Sequence, residues 1–254
     1  MNSTSHLFEI VAHRGVPEGV PENTIPSFER AIDLGADAVE FDDRLTADKV
    51  PVVFHYFYLQ EITSLNGPIF ECTYERIKTA RFTGEVYQNV DRMPIPTLYE
   101  VLELIGGRIG LEIEIKGPEP EAAQIVGEVL INYKHLWDTI EITSYEPALL
   151  LSIRQCCPGL STDLLVPRSE DWMGLDVAAY SALQRARLAQ ARAVHLHPTQ
   201  LSLGVVSTIR EHGIQVHAWD VNDKRALETV ADLNIPKFST DRFQQALHFR
   251  DVMA

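Results

Sequence analysis

Short apolar runs rich in β-branched residues alternate along the chain with longer segments whose apolar residues recur at three- and four-residue spacing. The first pattern is typical of buried strands and the second of amphipathic helices. Strands are predicted at residues 8–12, 37–42, 109–115, 139–143, 161–166, 193–197, 214–219 and 237–240. Helices are predicted at residues 24–34, 97–105, 120–134, 146–155, 175–190, 199–212 and 223–232, and from about residue 242 onwards.

This alternation indicates a parallel sheet that is covered by helices. Eight strand and helix units in a chain of 254 residues favour a closed (β/α)8 TIM barrel over an open doubly wound sheet, which usually has fewer strands. We therefore predict a single α/β barrel domain that spans residues 1–254.

One segment interrupts the regular order of strands and helices. Residues 43–96 contain an additional apolar run, PVVFHYFYL, followed by an irregular stretch with several Asn, Gly and Pro residues. We predict a hairpin-like extension and a small insertion, at about residues 56–95, after the second strand. The insertion is expected at the end of the barrel where substrates bind.

Charged residues occupy alternate positions of the second and third predicted strands. In the sequence VEFDD, Glu40 and Asp42 share one face, and in LEIEIK, Glu112, Glu114 and Lys116 do the same. The apolar residues between them fit under the outer helices, so the charged side chains are expected to point into the barrel. Because inward carboxylates are costly unless they are paired or bind a metal ion, these positions predict a functional site.

The residue types around these carboxylates indicate phosphoryl chemistry. Oxygen ligands without sulfur suit a divalent cation such as Mg²⁺, Ca²⁺ or Mn²⁺ better than Zn²⁺. His13 follows the first strand and His55 ends the run PVVFH, and two histidines can serve as general acid and base near neutral pH. Arg14 and Lys116 can bind an anion such as phosphate.

Composition narrows the choice of partners. A net charge of −14 disfavours nucleic acid and an anionic membrane surface, which both attract basic patches. No signal-peptide pattern and no apolar run of roughly 20 residues appears, so we expect a cytoplasmic protein that does not insert into membranes. Cys72, Cys156 and Cys157 have neither disulfide-framework nor metal-site spacing. The expected ligand is a small molecule. Whether the chain forms a homo-oligomer is left open by the sequence.

An ordered set of short motifs resembles the bacterial glycerophosphodiester phosphodiesterase family. Each motif is weak alone, but together they follow the family order from near the first residue to near the last. The motifs are VAHRG at 11–15, PENT at 21–24, EFD at 40–42, PVVFH at 51–55, IPTLYEVL at 95–102, EIK at 114–116, VN at 221–222 and TD at 240–241.

The resemblance implies a TIM barrel that hydrolyses glycerophosphodiesters to sn-glycerol 3-phosphate and an alcohol. It also implies that Glu40, Asp42 and Glu114 bind the divalent metal ion. His13 and His55 would then form the general acid and base pair. In the implied mechanism, the glycerol 2-hydroxyl attacks phosphorus and water opens the resulting cyclic phosphate.

The resemblance also implies roles for residues that surround these five. Arg14 and Lys116 would contact the phosphate group, and Glu22 and Asn23 of PENT would support the loop around the first histidine. From its place at the end of a predicted strand, Trp219 is expected to form an apolar wall against the glycerol or alcohol group.

Two positions depart from the family pattern. The family usually has Asp after the second histidine, and this chain has Tyr56, followed by Phe57 and Tyr58. These aromatic residues either pack within the insertion or line the leaving-group pocket. Glu112 stands where relatives often have an uncharged polar residue, so it either adds a metal ligand or contacts Lys116.

Two alternative functions stay open. The first is a reaction of the lysophospholipase D or sphingomyelinase D type on the same barrel, with a lipid substrate. The second is a phosphodiester-binding protein in which Tyr56 has silenced catalysis.

Three further histidines are expected to be structural or supporting: His195, His197 and His217.

Overall fold

A closed barrel of parallel strands forms the centre of the molecule. The computed structural model describes residues 7–84 and 93–253, and within them the chain forms nine strands. They are β1 (Glu9–His13), β2 (Ala38–Leu45), β3 (Pro51–Val53), β4 (Gly110–Ile115), β5 (Ile140–Ser144), β6 (Ser161–Leu165), β7 (Ala193–Leu196), β8 (Gln215–Ala218) and β9 (Lys237–Thr240). Eight strands are parallel, and β1 closes the barrel by pairing with both β2 and β9. The predicted (β/α)8 fold is confirmed.

Helices follow the strands and cover the outside of the barrel. In the described residues they are α1 (Ile25–Asp33), α2 (Tyr74–Ile77), α3 (Leu98–Leu104), α4 (Ala122–Asn132), α5 (Pro147–Cys156), α6 (Leu175–Ala189), α7 (Leu203–Glu211), α8 (Lys224–Asp232) and α9 (Phe243–Met253). The sequence pattern predicted all of these helices except the four-residue α2.

One predicted helix starts four residues too early. Residues 199–212 were predicted as helical, but Pro198–Gln200 form a 3₁₀ turn and α7 begins at Leu203. Ser202 sets this start, because its hydroxyl oxygen accepts a hydrogen bond from the Val205 backbone N–H at 3.2 Å.

The two faces of the strands differ in polarity, as the alternating pattern predicts. On β4, Leu111, Ile113 and Ile115 are buried in the main apolar core. The residues between them, Glu112 and Glu114, are buried with the polar groups of the barrel interior. The interior of the barrel is therefore lined by charged side chains, which fixes where the functional groups lie.

The segment between β3 and α3 has a small apolar core of its own. β3 runs antiparallel to β2, and the segment contains α2 and the 3₁₀ turns Leu59–Glu61 and Ile69–Glu71. Its buried cluster consists of Val52, Phe54, Leu59, Ile69, Cys72, Ile77, Ala80 and Ile95. Residues 85–92 of the predicted insertion lie outside the described residues. The assignment of the chain to a single domain stays a prediction.

Among the described residues, no helix has both the length and the apolar character that crossing a bilayer requires.

Candidate active site

Three buried carboxylates from two neighbouring strands form the floor of the site. The parallel register places Asp42 of β2 opposite Glu114 of β4, while Glu40 lies two residues earlier on β2. One carboxylate oxygen from each residue lies within 4.8 Å of the other two. The structure thus brings together the three predicted metal ligands.

The unpaired oxygens of this group fit a hard divalent cation. Glu40 Oε1 and Glu114 Oε1 are buried and have no hydrogen-bond partner among the described residues. Burial, followed by the negative charge of Asp42, raises the pKa of Glu40 to about 8. Burial also raises the pKa of Glu114. A bound cation would pair with the free oxygens and favour the ionised form of both carboxyl groups. Ligand sets made only of oxygen match Mg²⁺, Ca²⁺ or Mn²⁺.

Asp42 is the centre of a network of ion pairs. Lys116 Nζ lies 2.9 Å from Asp42 Oδ1 and 2.7 Å from Glu114 Oε2. Arg14 Nε lies 3.3 Å from Asp42 Oδ2, and Asn23 Nδ2 donates a hydrogen bond to the same oxygen at 2.7 Å. Burial alone would raise the pKa of Asp42, but Lys116 and Arg14 outweigh it and lower the pKa. Asp42 is therefore ionised at neutral pH.

A tight turn after β1 positions Arg14. The backbone N–H of Arg14 donates to Glu40 Oε2 at 3.0 Å, and Arg14 Nη1 donates to Glu22 Oε1 at 3.0 Å. The next residue, Gly15, has a φ of +80°, and a Cβ atom there would lie 2.5 Å from Ser27 Oγ. Only glycine fits this turn, so the sequence His-Arg-Gly fixes the direction of the arginine.

His13 is held from one side by a residue near the end of the chain. Its Nδ1 lies 2.5 Å from Asp241 Oδ1, and its Nε2 lies 3.7 Å from Glu40 Oε2. Asn222 Nδ2 donates to Asp241 Oδ2 at 2.7 Å and so orients that carboxylate. Burial alone would lower the pKa of His13, but Glu40 and the hydrogen bond to Asp241 raise it to about 9.

His55 has the opposite electrostatic environment. It follows β3, its backbone oxygen accepts a hydrogen bond from Arg44 Nε at 2.8 Å, and its buried Nδ1 has no hydrogen-bond partner in the described part of the chain. Burial lowers the pKa of His55 to about 3, with Asp42 acting in the opposite direction and Arg14 in the same one. His55 is therefore neutral at pH 7, whereas His13 carries a proton.

An open cleft of about 420 Å³ extends from the carboxylates towards the segment after β3. Tyr56 and Phe57 line this cleft. The Tyr56 ring packs edge-on against the His55 ring, with 4.7 Å between the ring centroids. Tyr58 is 49% exposed and does not line this cleft. Tyr56 and Phe57 therefore line the cleft, and Tyr56 also packs against the small apolar core of the insertion, so both interpretations apply to it.

Tyr145 and Trp219 line a neighbouring cavity with His13 and Glu40, and Tyr145 also lines the open cleft. Trp219 follows β8, and its Nε1 donates to the Val166 backbone oxygen at 3.1 Å. Its ring meets the Tyr145 ring edge-on at 6.1 Å. Sequence reasoning missed Tyr145, although its place directly after β5 was a usable signal.

Glu112 does not contact Lys116 as one interpretation proposed. Its Oε2 lies 2.9 Å from Lys237 Nζ, and its Oε1 lies 3.5 Å from His195 Nδ1. Glu112 lies two residues before Glu114 on the same face of β4, so it is deeper in the barrel and meets other partners. His217 lies in the same interior cluster as His195, whereas His197 lies at the rim, where its Nδ1 accepts from the Thr199 N–H at 3.2 Å.

Like Tyr145, the site residues Asp241 and Asn222 were given no role by the sequence prediction. The motifs TD at 240–241 and VN at 221–222 were visible in the sequence. Their spatial relation to His13 depends on the closure of the barrel, which no local pattern encodes.

This fold, with its carboxylates, cations and two unlike histidines at the carboxyl ends of the strands, defines a TIM-barrel enzyme of the phosphodiesterase class. The model of the glycerophosphoryl diester phosphodiesterase family matches residues 13–245. The chain belongs to that family.

Individual relatives agree with this assignment. The chain is 31% identical over 245 residues to a glycerophosphodiester phosphodiesterase of Caldanaerobacter subterraneus subsp. tengcongensis, covering 91% of this chain and 93% of that protein. The structure of an Oleispira antarctica phosphodiesterase in complex with the product sn-glycerol-3-phosphate has a TM-score of 0.82 and 27% identity, covering 96% of both chains. A putative glycerophosphoryl diester phosphodiesterase from Agrobacterium tumefaciens shares the fold, with a TM-score of 0.83, 21% identity and coverage of 97% and 98%.

Proposed function

We propose that this protein hydrolyses glycerophosphodiesters to sn-glycerol 3-phosphate and an alcohol. The observation that carries the proposal is that both histidines lie at the buried carboxylates: His13 lines a cavity with Glu40 and Glu114, and His55 lines the adjoining cleft with Glu114. Family membership supports it, and so does the product bound to the Oleispira antarctica relative.

Glu40, Asp42 and Glu114 are the proposed ligands of a divalent cation, Mg²⁺, Ca²⁺ or Mn²⁺. Their unpaired buried oxygens support this assignment, because two like charges in a buried site need a positive charge between them. When bound, the cation would neutralise charge on the phosphoryl oxygens and make a nearby hydroxyl more acidic.

The two histidines divide the proton transfers. Neutral His55 accepts the proton of the glycerol 2-hydroxyl as that oxygen attacks phosphorus, and His13 donates a proton from Nε2 to the departing alkoxide. Water then opens the cyclic phosphate, giving a proton to His13 while His55 returns its proton to the 2-oxygen. Both histidines end in their starting protonation states, so the cycle can repeat.

The cations beside Asp42 are placed to bind the phosphate group. Arg14 presents a planar guanidinium whose orientation is set by Glu22, and Lys116 supplies a point charge. Asn23 holds the carboxylate that both cations contact. These residues orient the diester so that the attacking and departing oxygens lie on opposite sides of phosphorus.

The aromatic walls surround the two ends of the substrate. Trp219 is the proposed wall against glycerol, and Tyr56 and Phe57 line the cleft proposed for the alcohol group. Tyr56 replaces the usual Asp, yet both histidines, the carboxylates and the cations are assembled around it. This arrangement favours catalysis over silent binding.

Product release from water-soluble diesters tests the proposal. Purified protein is incubated with glycerophosphocholine or glycerophosphoethanolamine and Mg²⁺, Ca²⁺ or Mn²⁺, and sn-glycerol 3-phosphate is measured. We expect release with a divalent cation and its loss after chelation. Release that chelation leaves unchanged contradicts the metal assignment, and absence of product from both diesters contradicts the proposed function.

A micellar lysolipid assayed in parallel separates the lipid alternative. Turnover of the lysolipid with no turnover of the soluble diesters identifies a reaction of the lysophospholipase D type. Calorimetric binding of a soluble diester without product over hours identifies the binding protein instead.

A further inference from the structure

A second cluster of metal-ligating side chains lies inside the barrel, apart from the catalytic carboxylates. Glu141, Asp163, His195 and His217 project inwards from four consecutive strands, β5 to β8. All four side chains belong to buried residues, with at most 9% exposure. The proposed reaction uses none of them.

Four of the six separations between the ligand atoms fit a tetrahedral site, and all of the atoms lie within 4.8 Å of one another. His195 Nε2 lies 3.1 Å from His217 Nδ1, 3.3 Å from Asp163 Oδ2 and 3.5 Å from Glu141 Oε1. His217 Nδ1 lies 3.4 Å from Asp163 Oδ2. A tetrahedral Zn²⁺ ion with bonds of about 2.0–2.1 Å places its ligand atoms about 3.3 Å apart. These four separations lie close to that value, whereas the ligand atoms of Glu141 and His217 lie farther apart, within 4.8 Å.

The charges around the cluster leave room for a cation. Lys237 Nζ lies 2.9 Å from both Glu112 Oε2 and Glu141 Oε1, and Arg192 Nη2 lies 2.7 Å from Asp163 Oδ2 and also contacts Glu141. With neutral histidines, three carboxylates face two cations, so one negative charge is left in a buried place, which is costly. Burial lowers the pKa of His195, but Glu112, Asp163 and Glu141 raise it to about 10, so in the absence of a metal ion a proton on His195 balances this charge. With neutral histidines, a bound divalent ion would change the net charge of this group from −1 to +1, which is no larger in magnitude.

The contacts with lysine and arginine do not block metal binding. A carboxylate oxygen has two lone pairs, so it can bind a metal ion with one and accept a hydrogen bond with the other. The two facing ring nitrogens of His195 and His217 can share at most one hydrogen. At least one of these nitrogens is therefore a lone-pair donor directed at the other ligand atoms.

A further carboxylate orients the central histidine. His195 Nδ1 lies 3.5 Å from Glu112 Oε1 and has no hydrogen-bond partner among the described residues. A ligating histidine commonly directs its second ring nitrogen towards a carboxylate, which fixes the ring and increases its basicity. Glu112, held by Lys237, occupies that position.

We propose that Glu141, Asp163, His195 and His217 form a structural Zn²⁺ site inside the barrel. Two nitrogen and two oxygen ligands suit a borderline cation such as Zn²⁺, whereas the oxygen-only group at the active site suits harder ions. Four protein ligands close the coordination sphere, which is the form of a structural site rather than a catalytic one. The ion would join four neighbouring strands, and the inference does not depend on the proposed function.

Metal analysis in a Glu114→Gln background tests the site without the catalytic cation. Full-length protein is loaded with Zn²⁺, dialysed and measured for zinc per chain. We expect one tightly held Zn²⁺ in this variant, the same in Glu114→Gln/His197→Gln, and none in Glu114→Gln/His217→Gln. His197 is the matched control because it lies at the rim, outside the cluster. Absence of bound zinc in Glu114→Gln, or its retention after His217→Gln, overturns the proposal.

X-ray absorption on the zinc-loaded Glu114→Gln protein gives a second readout that needs no change in the cluster. We expect two imidazole nitrogens and two oxygens at tetrahedral distances. A spectrum without imidazole ligands overturns the proposal even where the His217→Gln chain does not fold, and it would leave a protonated His195 as the central cation.

Discussion

At the scale of single residues, the proposed acid and base roles rest on the neighbours of each histidine. His13 lies between the carboxylates of Glu40 and Asp241, which favour its protonated form. His55 is partly buried, and this burial, aided by Arg14 and other cations and opposed by Asp42, favours its neutral form. Two residues of one type can therefore perform opposite proton transfers, because the surroundings move their pKa values apart.

Replacing either histidine tests these roles. His13→Ala and His55→Ala are each expected to lower kcat by about 100-fold or more, the usual effect of losing an acid or base group. His212→Ala, at the exposed end of α7, is the control and should keep its kcat. Near wild-type turnover in either active-site variant removes that residue from the mechanism.

Asp241 is expected to control the pH dependence of His13. The carboxylate helps to raise the pKa of His13 to about 9, and a general acid acts only while protonated. Activity should therefore fall as the pH rises through that pKa. In Asp241→Asn the pKa of His13 is lower, so the alkaline limb of the kcat/KM profile moves to lower pH.

The control for this prediction is Asp232→Asn, an exposed position at the end of α8. Its pH profile should match that of the unmodified protein. Profiles of Asp241→Asn and wild type that coincide would show that Asp241 does not act on the proton of His13.

At the scale of elements, the strand β4 serves two sites at different depths. Glu114 joins the carboxylates proposed to bind the metal ion, while Glu112, two residues earlier on the same face, pairs with Lys237 of β9. The period of two along a strand puts both carboxylates inside the barrel. The partner that each one meets depends on which side chains from other strands lie at the same level.

Replacing Lys237 of β9 is expected to lower the stability of the protein. It is buried, with 7% exposure, and contacts both Glu112 and Glu141. Lys237→Met leaves two buried carboxylates without this cation, so we expect a loss of about 3–5 kcal/mol in the free energy of unfolding. Urea denaturation measures it.

Lys224→Met is the matched control, because that side chain is 80% exposed. Its free energy of unfolding should change by no more than about 0.5 kcal/mol. Equal stabilities of Lys237→Met and Lys224→Met would contradict the assigned role of Lys237.

At the scale of the whole molecule, barrel closure assembles the site from both ends of the chain. His13 and Asp241 are separated by 228 positions and meet because β1 pairs with β9. The net charge of −14 makes the local cations Arg14 and Lys116 necessary for an anionic substrate. The expected cytoplasmic location, the absence of a nucleic-acid partner and the oligomeric state stay predictions.

The strands and the positions of the carboxylates were predictable because both depend on local patterns. Alternation along VEFDD and LEIEIK places Glu40, Asp42 and Glu114 inside the barrel without knowledge of the rest of the chain. The partner of Glu112 was not predictable, since Lys237 lies on a distant strand and its level depends on the stagger of the barrel. The same reason applies to Asp241.

The most direct test of the account is a crystal structure of the protein with Mn²⁺ and sn-glycerol 3-phosphate. The account predicts the metal ion on Glu40, Asp42 and Glu114, with the phosphate group beside Arg14 and Lys116. A phosphate group bound away from these carboxylates, or a metal ion that contacts none of them, would contradict the central claim.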